Sequence, residues 1–352
     1  MSIPIIIPSY EPDDRLIALL ETLADGKRQI ILVDDGSGEK YAEIFEKAQS
    51  MIASGGGVLL RHEVNRGKGR ALKTAFAHVI SNMPDAIGVV TADSDGQHTV
   101  SCIDNVSEVF EQNPDCLVLG VRCFDGDDIP WKSKFGNNLT MKVMRFASGL
   151  NVSDTQTGLR GIPLAFMKEL VDFGGDRFEF ETQMLLETVD RYEIKEVKIE
   201  TIYESKENHQ THFNPVKDSI KIYKILGKQF FKYIIASVGS FLLDILLFWL
   251  FCRLFKGIGA YITISTVIAR VFSSIFNFTI NYKKVFKSRE SVSKSALKYF
   301  CLAIIQMGCS ALLVTLGVML TKGNEVLIKI IVDTLLFFCS FKIQQRLVFA
   351  KK

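Results

Sequence analysis

The sequence lacks several patterns that would assign it to a common class of protein. Its seven cysteines include no CxxC pair, so we expect reduced packing residues and no disulfide framework. The formal net charge is only +3 and the first half has no basic stripe, which argues against a nucleic-acid partner. No basic stretch followed by an apolar one opens the chain, so we expect no cleaved signal peptide and a cytoplasmic first half.

Hydrophobic residues are concentrated in the second half. They make up 48% of the 352 residues, and the mean hydropathy of +0.19 is high for a soluble protein. Four apolar segments of about 20 residues, the length that a bilayer requires, cover 231–253, 258–282, 297–321 and 326–349. Lys and Arg cluster after the second segment and at the C-terminal end. The positive-inside rule therefore places both termini in the cytoplasm of a multi-pass protein of the cell membrane.

The apolar half also contains polar residues and a weak internal repeat. Polar side chains are costly in a bilayer and usually face a partner or a cavity. In this half they are Asp244, Arg270, Asn277, Asn281 and Asp333. Two interpretations stay open: one of the aspartates neutralises Arg270, or the residues bind a lipid headgroup or serve transport. Residues 278–286 resemble 341–349, which indicates that two helix pairs are related copies.

The first 225 residues alternate short apolar runs with segments of helical periodicity. The runs 3–7, 30–33, 58–60, 86–91 and 116–121 predict strands buried on both faces. Helices between them predict a mostly parallel sheet in a Rossmann-like α/β domain. Ligands bind such sheets at the carboxyl ends of the strands.

A basic, amphipathic segment joins the two halves. From 215 to 230, lysines recur every three or four residues while apolar residues cover other faces. The pattern predicts a helix lying on an anionic membrane surface. The alternative is a helix that packs on the soluble domain.

Two polar turns follow the first two predicted strands, PSYEP at 8–12 and VDDGS at 33–37. A nucleobase could lie between them, because Tyr10 offers a face for stacking and Asp35 can accept a hydrogen bond from a base imide. Turn chemistry alone would also explain these residue types. Their meeting at one sheet edge favours a nucleoside site.

The segment 91–98, TADSDGQH, follows another predicted strand. Asp93 and Asp95 can hold Mg²⁺ or Mn²⁺, hard ions that prefer oxygen ligands and leave positions for diphosphate oxygens. The segment 65–71, NRGKGRA, opens a helix and could bring Lys68 to an anion, although it lacks the spacing of a P-loop. A solvated acidic turn and a capped helix start are the alternatives.

These motifs, followed by GVR at 120–122 and DTQTGLRG at 154–161, resemble the family 2 glycosyltransferases, and among them the dolichyl- and polyprenyl-phosphate hexosyltransferases. The resemblance implies a GT-A fold and inverting transfer. It implies nucleoside contacts by Pro8, Tyr10, Glu11 and Asp35. It further implies a metal site of Asp93, Asp95 and Gln97, and a lipid phosphate bound by Arg122 with Lys132 or Lys134. Thr99 and Val121 depart from the family pattern, and Lys132 stands where Arg is frequent.

A phosphate acceptor decides which catalytic groups to expect. A phosphate monoester has a second pKa near 6 and is mostly dianionic at pH 7, so no general base is needed. Positive groups must instead offset repulsion between acceptor and donor phosphates, for which Arg122 and Arg160 are candidates. Arg160 could equally brace its loop. His212 is a further candidate for the acceptor phosphate, and 177–181 is expected to line the acceptor side.

The second half resembles the four-helix GtrA family. We therefore predict a glycosyltransferase domain at 1–214, a juxtamembrane amphipathic helix at 215–230 and a domain of four transmembrane helices at 231–352. The predicted activity is transfer of a hexose from UDP or GDP to undecaprenyl or dolichyl phosphate for cell-envelope glycosylation. A flippase with an accessory soluble domain is the alternative. A processive synthase is disfavoured because no QxxRW motif occurs, and homo-oligomerisation is left open.

Overall fold

A computed structural model describes residues 2–24, 28–122, 131–189, 191–200, 217–288 and 290–349, with side chains at all of these except 24, 131–135 and 217–219. The chain forms two compact units, Met1–Leu226 and Gly227–Lys352. Each unit has its own architecture. The first is α/β, and the second is helical.

The described part of the first unit contains one sheet with seven strands: β1 (Ile5–Ser9), β2 (Ile30–Asp34), β3 (Val58–Arg61), β4 (Gly88–Thr91), β5 (Leu117–Arg122), β6 (Arg160–Pro163) and β7 (Ile194–Ile199). Their order is β3-β2-β1-β4-β6-β5-β7. All paired strands are parallel except for β6, which is antiparallel to both of its neighbours. The predicted mostly parallel sheet of a GT-A fold is confirmed.

Helices cover both faces of this sheet: α1 (Asp14–Ala24), α2 (Ala42–Ala53), α3 (Lys68–Asn82), α4 (Val100–Gln112), α5 (Trp131–Ser148), α6 (Leu164–Leu170) and α7 (Glu179–Glu187). Side chains alternate between the faces. Ile6 packs in one apolar cluster with α3 and α6, whereas Ile5 and Ile7 pack in another with α1 and α4. Burial on both faces explains why β1 appears in the sequence as a continuous apolar run.

The strand order brings three polar turns together. β1 lies between β2 and β4 and is parallel to both, so the carboxyl ends of these strands are neighbours. The chain reverses its direction of winding between β1 and β4, which is the position where open α/β sheets bind ligands. The turns after Ser9, Asp34 and Thr91 therefore lie side by side at one edge of the sheet.

The helix α8 (Lys217–Leu254) is continuous from the first unit into the second. Its residues Ile222 and Leu226 are buried in the core of the first unit, in the same apolar cluster as Met144 of α5. Tyr223 Oη lies 3.4 Å from Thr140 Oγ1, also on α5. The start of the predicted membrane-surface helix thus packs on the α/β unit, which is the alternative that the sequence left open.

The second unit comprises the rest of α8 with α9 (Tyr261–Ile280), α10 (Val292–Thr321) and α11 (Glu325–Ile343). Within the described ranges, three stretches are long and apolar enough to cross a membrane: Ile220–Leu254, Tyr261–Val285 and Val292–Thr321. Four helices were predicted to cross. The fourth helix, α11, exists but falls outside this group, because Glu325, Lys329, Asp333 and Lys342 lie within its 19 residues.

The polar residues within the membrane unit pair locally. Asp244 lies 3.3 Å from Arg270 Nη2 and accepts a hydrogen bond from Ser273 Oγ at 2.9 Å. Asp333 lies 2.8 Å from Lys329 Nζ and accepts from Ser310 Oγ at 2.5 Å. Of the two aspartates, Asp244 is therefore the one that neutralises Arg270.

The two helix pairs make equivalent contacts at one end. The matching segments 278–286 and 341–349 both change from α-helix to π-helix, over Asn281–Val285 and Gln344–Val348. Two equivalent aromatic contacts join the segments, each between a ring of one and a ring of the other. The Phe278–Phe349 and Phe286–Phe341 ring centroids are both 5.8 Å apart. The predicted relation between the helix pairs is thus visible in the packing.

Equivalent residues meet at the centre of this arrangement. Asn281 Nδ2 donates to Gln344 Oε1 at 3.2 Å, and both side chains are buried. Tyr299 Oη donates to Asn277 Oδ1 at 3.1 Å, while Gln344 Nε2 donates to Tyr233 Oη at 3.3 Å. A polar network therefore holds the two helix pairs together.

We expect the amide pair to tolerate exchange but not loss. Gln344→Leu should lower the free energy of unfolding by about 1–3 kcal/mol, because the Asn281 amide loses a buried partner. The swapped variant Asn281→Gln/Gln344→Asn keeps both amides and should lose less. Thermal unfolding of the three proteins in detergent checks this, and equal losses in the two variants would contradict the symmetric contact.

Candidate functional site

The turn after β4 holds the predicted metal ligands. Asp95 Oδ1 accepts a hydrogen bond from the Gln97 backbone N–H at 3.1 Å, so the turn closes on itself. Thr99, which departs from the family pattern, caps α4 by accepting from the Cys102 N–H at 3.3 Å. The turn therefore lies between the end of β4 and a capped helix.

Asp93 is surrounded by positive and polar groups. Its Oδ1 lies 2.7 Å from Lys68 Nζ, and its Oδ2 lies 3.7 Å from Nε2 of the buried His98. Burial alone would raise the pKa of Asp93, but Lys68 and His98 hold it well below its usual range. Asp93 is therefore ionised at neutral pH.

Lys68 reaches this cluster from the first residue of α3. Its ammonium also lies 3.0 Å from Glu181 Oε1 on α7. Burial alone would lower the pKa of Lys68, but the two carboxylates raise it. The lysine that the sequence assigned to a phosphate thus contacts two carboxylates, one of which, Glu181, was expected on the acceptor side.

The loop that carries Lys68 is held by Asp35. The Asp35 carboxylate accepts from the backbone N–H groups of Arg66 at 3.0 Å and Gly67 at 2.7 Å, and His62 Nδ1 lies 2.7 Å from it. Asp35 is 3% exposed. The structure therefore gives the predicted base-binding carboxylate a role in fixing this loop.

The two predicted nucleoside turns are joined directly. The Asp35 N–H donates to the Ser9 carbonyl at 2.9 Å, and the Glu11 N–H donates to Ser37 Oγ at 2.9 Å. Glu11 has a φ of 49°, an uncommon backbone conformation that the Ser37 hydroxyl stabilises. A hydrogen bond with Glu11 raises the pKa of Tyr10. Tyr10 and Glu11 remain accessible, whereas Pro8 is buried in β1.

The predicted acceptor residues occupy different environments. Arg122 forms a bidentate pair with the fully buried Asp154, at 2.7 Å from Nε and 3.0 Å from Nη2. Arg160 is 1% exposed and donates to the carbonyls of Thr157 and Glu181, both at 2.9 Å. These contacts favour the alternative in which Arg160 braces its loop.

Three further acceptor-side predictions fall beyond what the structure describes. Lys132 and Lys134 lie in α5, but their side chains are outside the described set, and His212 is outside the described residues. α5 itself is tied to the 153–155 loop. Asn137 donates to the Ser153 carbonyl at 3.0 Å and accepts from the Thr155 N–H at 3.1 Å.

The side chains near Asp93 suit a hard divalent cation. Burial and repulsion from the neighbouring Asp93 carboxylate raise the pKa of Asp95, and a cation bound between the two carboxylates would offset this repulsion. Within the described ranges, no three His, Cys, Asp or Glu side chains converge on a metal position. Two carboxylates with an amide oxygen from Gln97 fit Mg²⁺ or Mn²⁺, which fill their remaining positions with phosphate oxygens.

Gly158 has no side chain, and this leaves room for the Asp93 carboxylate. A Cβ on Gly158 would lie 2.2 Å from Asp93 Oδ2, and the Gly158 carbonyl accepts from Thr91 Oγ1 at 2.7 Å. Sequence reasoning missed this contact, although the glycine stands within the DTQTGLRG motif.

We expect Gly158→Ala to reduce turnover about 100-fold, the typical cost of displacing a site group by about 1 Å. The methyl group would push the Asp93 carboxylate away from Lys68. Gly174→Ala is a matched control, because a Cβ there meets no atom within 4 Å. Steady-state kinetics of both variants check the prediction, and equal activities would contradict it.

Comparison with known proteins agrees with this architecture. Residues 5–170 match the model of Glycosyl transferase family 2, and residues 232–349 match that of the GtrA/DPMS transmembrane domain. The motifs at 8–12, 33–37, 65–71 and 91–98 all lie within the first match.

Curated relatives match about half of this chain. A UDP-N-acetylglucosamine–dolichyl-phosphate N-acetylglucosaminyltransferase of Methanococcus voltae is 26% identical over 56% of this chain and 85% of that protein. An undecaprenyl-phosphate 4-deoxy-4-formamido-L-arabinose transferase of Edwardsiella ictaluri is 29% identical over 48% of this chain and 51% of that protein.

Among solved structures, a mannosyltransferase of Pyrobaculum calidifontis in complex with GDP-Man and Mn²⁺ matches with a TM-score of 0.41 and 14% identity, over 97% of this chain and 86% of that one. The two family matches and the sheet topology carry the assignment. The chain is a glycosyltransferase in which a region that matches Glycosyl transferase family 2 is joined to a region that matches the GtrA/DPMS transmembrane domain.

Proposed function

We propose that this enzyme transfers a hexose from a nucleotide sugar, UDP- or GDP-linked, to a polyprenyl phosphate such as undecaprenyl or dolichyl phosphate, with inversion at the anomeric carbon. The observation that carries the proposal is the pair Asp93 and Asp95 at the end of β4, with Lys68 on Asp93. The relatives that are named for transfer to dolichyl and undecaprenyl phosphate support the acceptor.

The donor would bind at the joined turns. Tyr10 and Glu11 are accessible for the nucleoside, while Lys68 and the N-terminus of α3 are near enough to Asp93 to serve the diphosphate. Asp93, Asp95 and Gln97 would hold Mg²⁺ or Mn²⁺. The ion would offset the charge that develops on the departing nucleotide.

The acceptor needs positive charge and orientation. Its phosphate oxygen arrives already deprotonated, so no side chain has to remove a proton. Arg122 lies at the end of β5, where Asp154 fixes the plane of its guanidinium. We assign to Arg122 the role of positioning the acceptor phosphate, and to Lys132, Lys134 and His212 a supporting role in binding it.

The membrane unit would hold the chain beside its lipid substrate. In the same proposal, the enzyme is a multi-pass protein of the cell membrane with its catalytic domain and both termini in the cytoplasm. The distribution of Lys and Arg supports this orientation, and an even number of crossings requires that α11 cross the membrane together with the three apolar stretches.

A donor and acceptor panel tests the proposal. The purified full chain is offered labelled UDP- and GDP-hexoses with undecaprenyl phosphate, with Mn²⁺ or with EDTA. We expect one donor to give a labelled lipid, only with the metal, and NMR of the product to show the inverted anomer. Undecaprenol is the control, and it should not react because an alcohol needs a base. Transfer to undecaprenol, or no lipid product with any donor, would contradict the proposal.

A further inference from the structure

The Lys68 ammonium lies between the carboxylates of Asp93 and Glu181. It lies 2.7 Å from Asp93 Oδ1 and 3.0 Å from Glu181 Oε1, and its side chain is 18% exposed. Three different elements supply these groups: the start of α3, the turn after β4 and the start of α7. The contact is therefore a largely buried ion pair and not a surface one.

Both oxygens of Asp93 are engaged in this state. Oδ1 contacts Lys68, while Oδ2 lies 3.7 Å from His98 Nε2 and would be 2.2 Å from a Cβ on Gly158. His98 Nδ1 is buried without a hydrogen-bond partner among the described residues. A divalent cation that joined Asp93 here would meet the Lys68 ammonium at close range, and the two positive charges would repel each other.

A diphosphate would remove this conflict. It brings negative charge, and Lys68 at the N-terminus of α3 is placed to turn from Asp93 towards a phosphate oxygen. The Asp93 oxygen would then be released to the metal ion. Glu181 keeps a carboxylate beside Lys68 in either state.

We propose that Lys68 is a placeholder cation that blocks metal binding until the nucleotide arrives, so that metal ion and nucleotide enter the site together. The inference rests on the proposed metal-dependent transfer and adds an order of binding to it. In this scheme Lys68 prevents a metal ion from occupying the site without a donor.

Removal of the Lys68 charge should therefore strengthen metal binding in the absence of nucleotide. We expect Lys68→Gln to bind Mn²⁺ at least tenfold more tightly than the unmodified chain when no nucleotide is present. With UDP or GDP added, the unmodified chain should gain at least tenfold in Mn²⁺ affinity and the variant should gain little. A residue that only stabilised the fold would give neither change.

The matched control is Lys73→Gln, on the same helix. Lys73 Nζ lies 2.7 Å from Asp176 and is buried, so this variant also removes a buried lysine from a carboxylate. Its Mn²⁺ affinity should be unchanged. If Lys68→Gln fails to fold, the charge-balanced variant Lys68→Gln/Glu181→Gln serves instead, because it removes one charge of each sign.

Electron paramagnetic resonance of free Mn²⁺ provides the measurement on the full chain in detergent, with and without UDP or GDP. Equal affinities of the unmodified chain and Lys68→Gln without nucleotide would overturn the placeholder role, while metal dependence would stand if nucleotide still raised the affinity. Absence of Mn²⁺ binding by every protein, even with nucleotide, would overturn both the inference and the proposed metal site. The two failures are thus distinguishable.

Discussion

Asp95→Asn should abolish transfer while leaving the protein at least as stable. The amide can still accept the hydrogen bond from the Gln97 N–H, so the turn after β4 keeps its shape. The charge that would bind the metal is lost. Loss of an electrostatic contact of several kcal/mol predicts a decrease in kcat on the order of 1,000-fold.

The stability of this variant follows from the raised pKa of Asp95. Burial and Asp93 disfavour the ionised form in the folded state, so at pH 7 the charge opposes folding and its removal should not lower the free energy of unfolding. Asp115→Asn, at an exposed position, is the control for removal of one aspartate. Kinetics and thermal unfolding measure the two effects. Full activity in Asp95→Asn would exclude it as a metal ligand.

Arg122→Ala should affect both stability and acceptor use. Asp154 is fully buried, so loss of its bidentate partner leaves an uncompensated carboxylate, at a cost of about 3–5 kcal/mol. If Arg122 also meets the lipid phosphate, the acceptor KM should rise at least tenfold. The donor KM should stay unchanged, because Arg122 lies on β5 and the nucleoside turns follow β1 and β2.

A double variant separates the two roles of Arg122. Arg122→Ala/Asp154→Ala removes both charges and should recover most of the lost stability. Its acceptor KM should remain high, since the phosphate-binding group is still missing. Acceptor kinetics restored together with stability would show that Arg122 acts only through the fold.

The parts of the fold that the sequence predicted are those with strong local signals. β1, β2 and β4 are buried on both faces and therefore appear as apolar runs. β6 was not predicted, because Arg160 and Gly161 interrupt its apolar character. Its antiparallel pairing with β4 and β5 depends on contacts far apart in the chain.

For the candidate site, too, the sequence predicted the residues with local signals but not the contacts between them. The sequence identified Asp93 and Lys68 because each stands in a recognisable turn after a strand or before a helix. It could not show that their side chains meet, nor that Glu181 completes the cluster, because no periodicity links 68, 93 and 181. The residue type of Arg160 suggested that it binds a phosphate, whereas in the structure this buried side chain donates hydrogen bonds to backbone carbonyls.

The two similar helix pairs of the membrane unit can differ in sequence, which the two subunits of a homodimer cannot. In a homodimer every substitution appears twice, whereas here each copy changes separately because both belong to one chain. Arg270 and Asp333 each lie eight residues before the equivalent Phe278 and Phe341, yet they have opposite charge. The aromatic and amide contacts are alike in the two copies, whereas the charges in the middle of the helices differ.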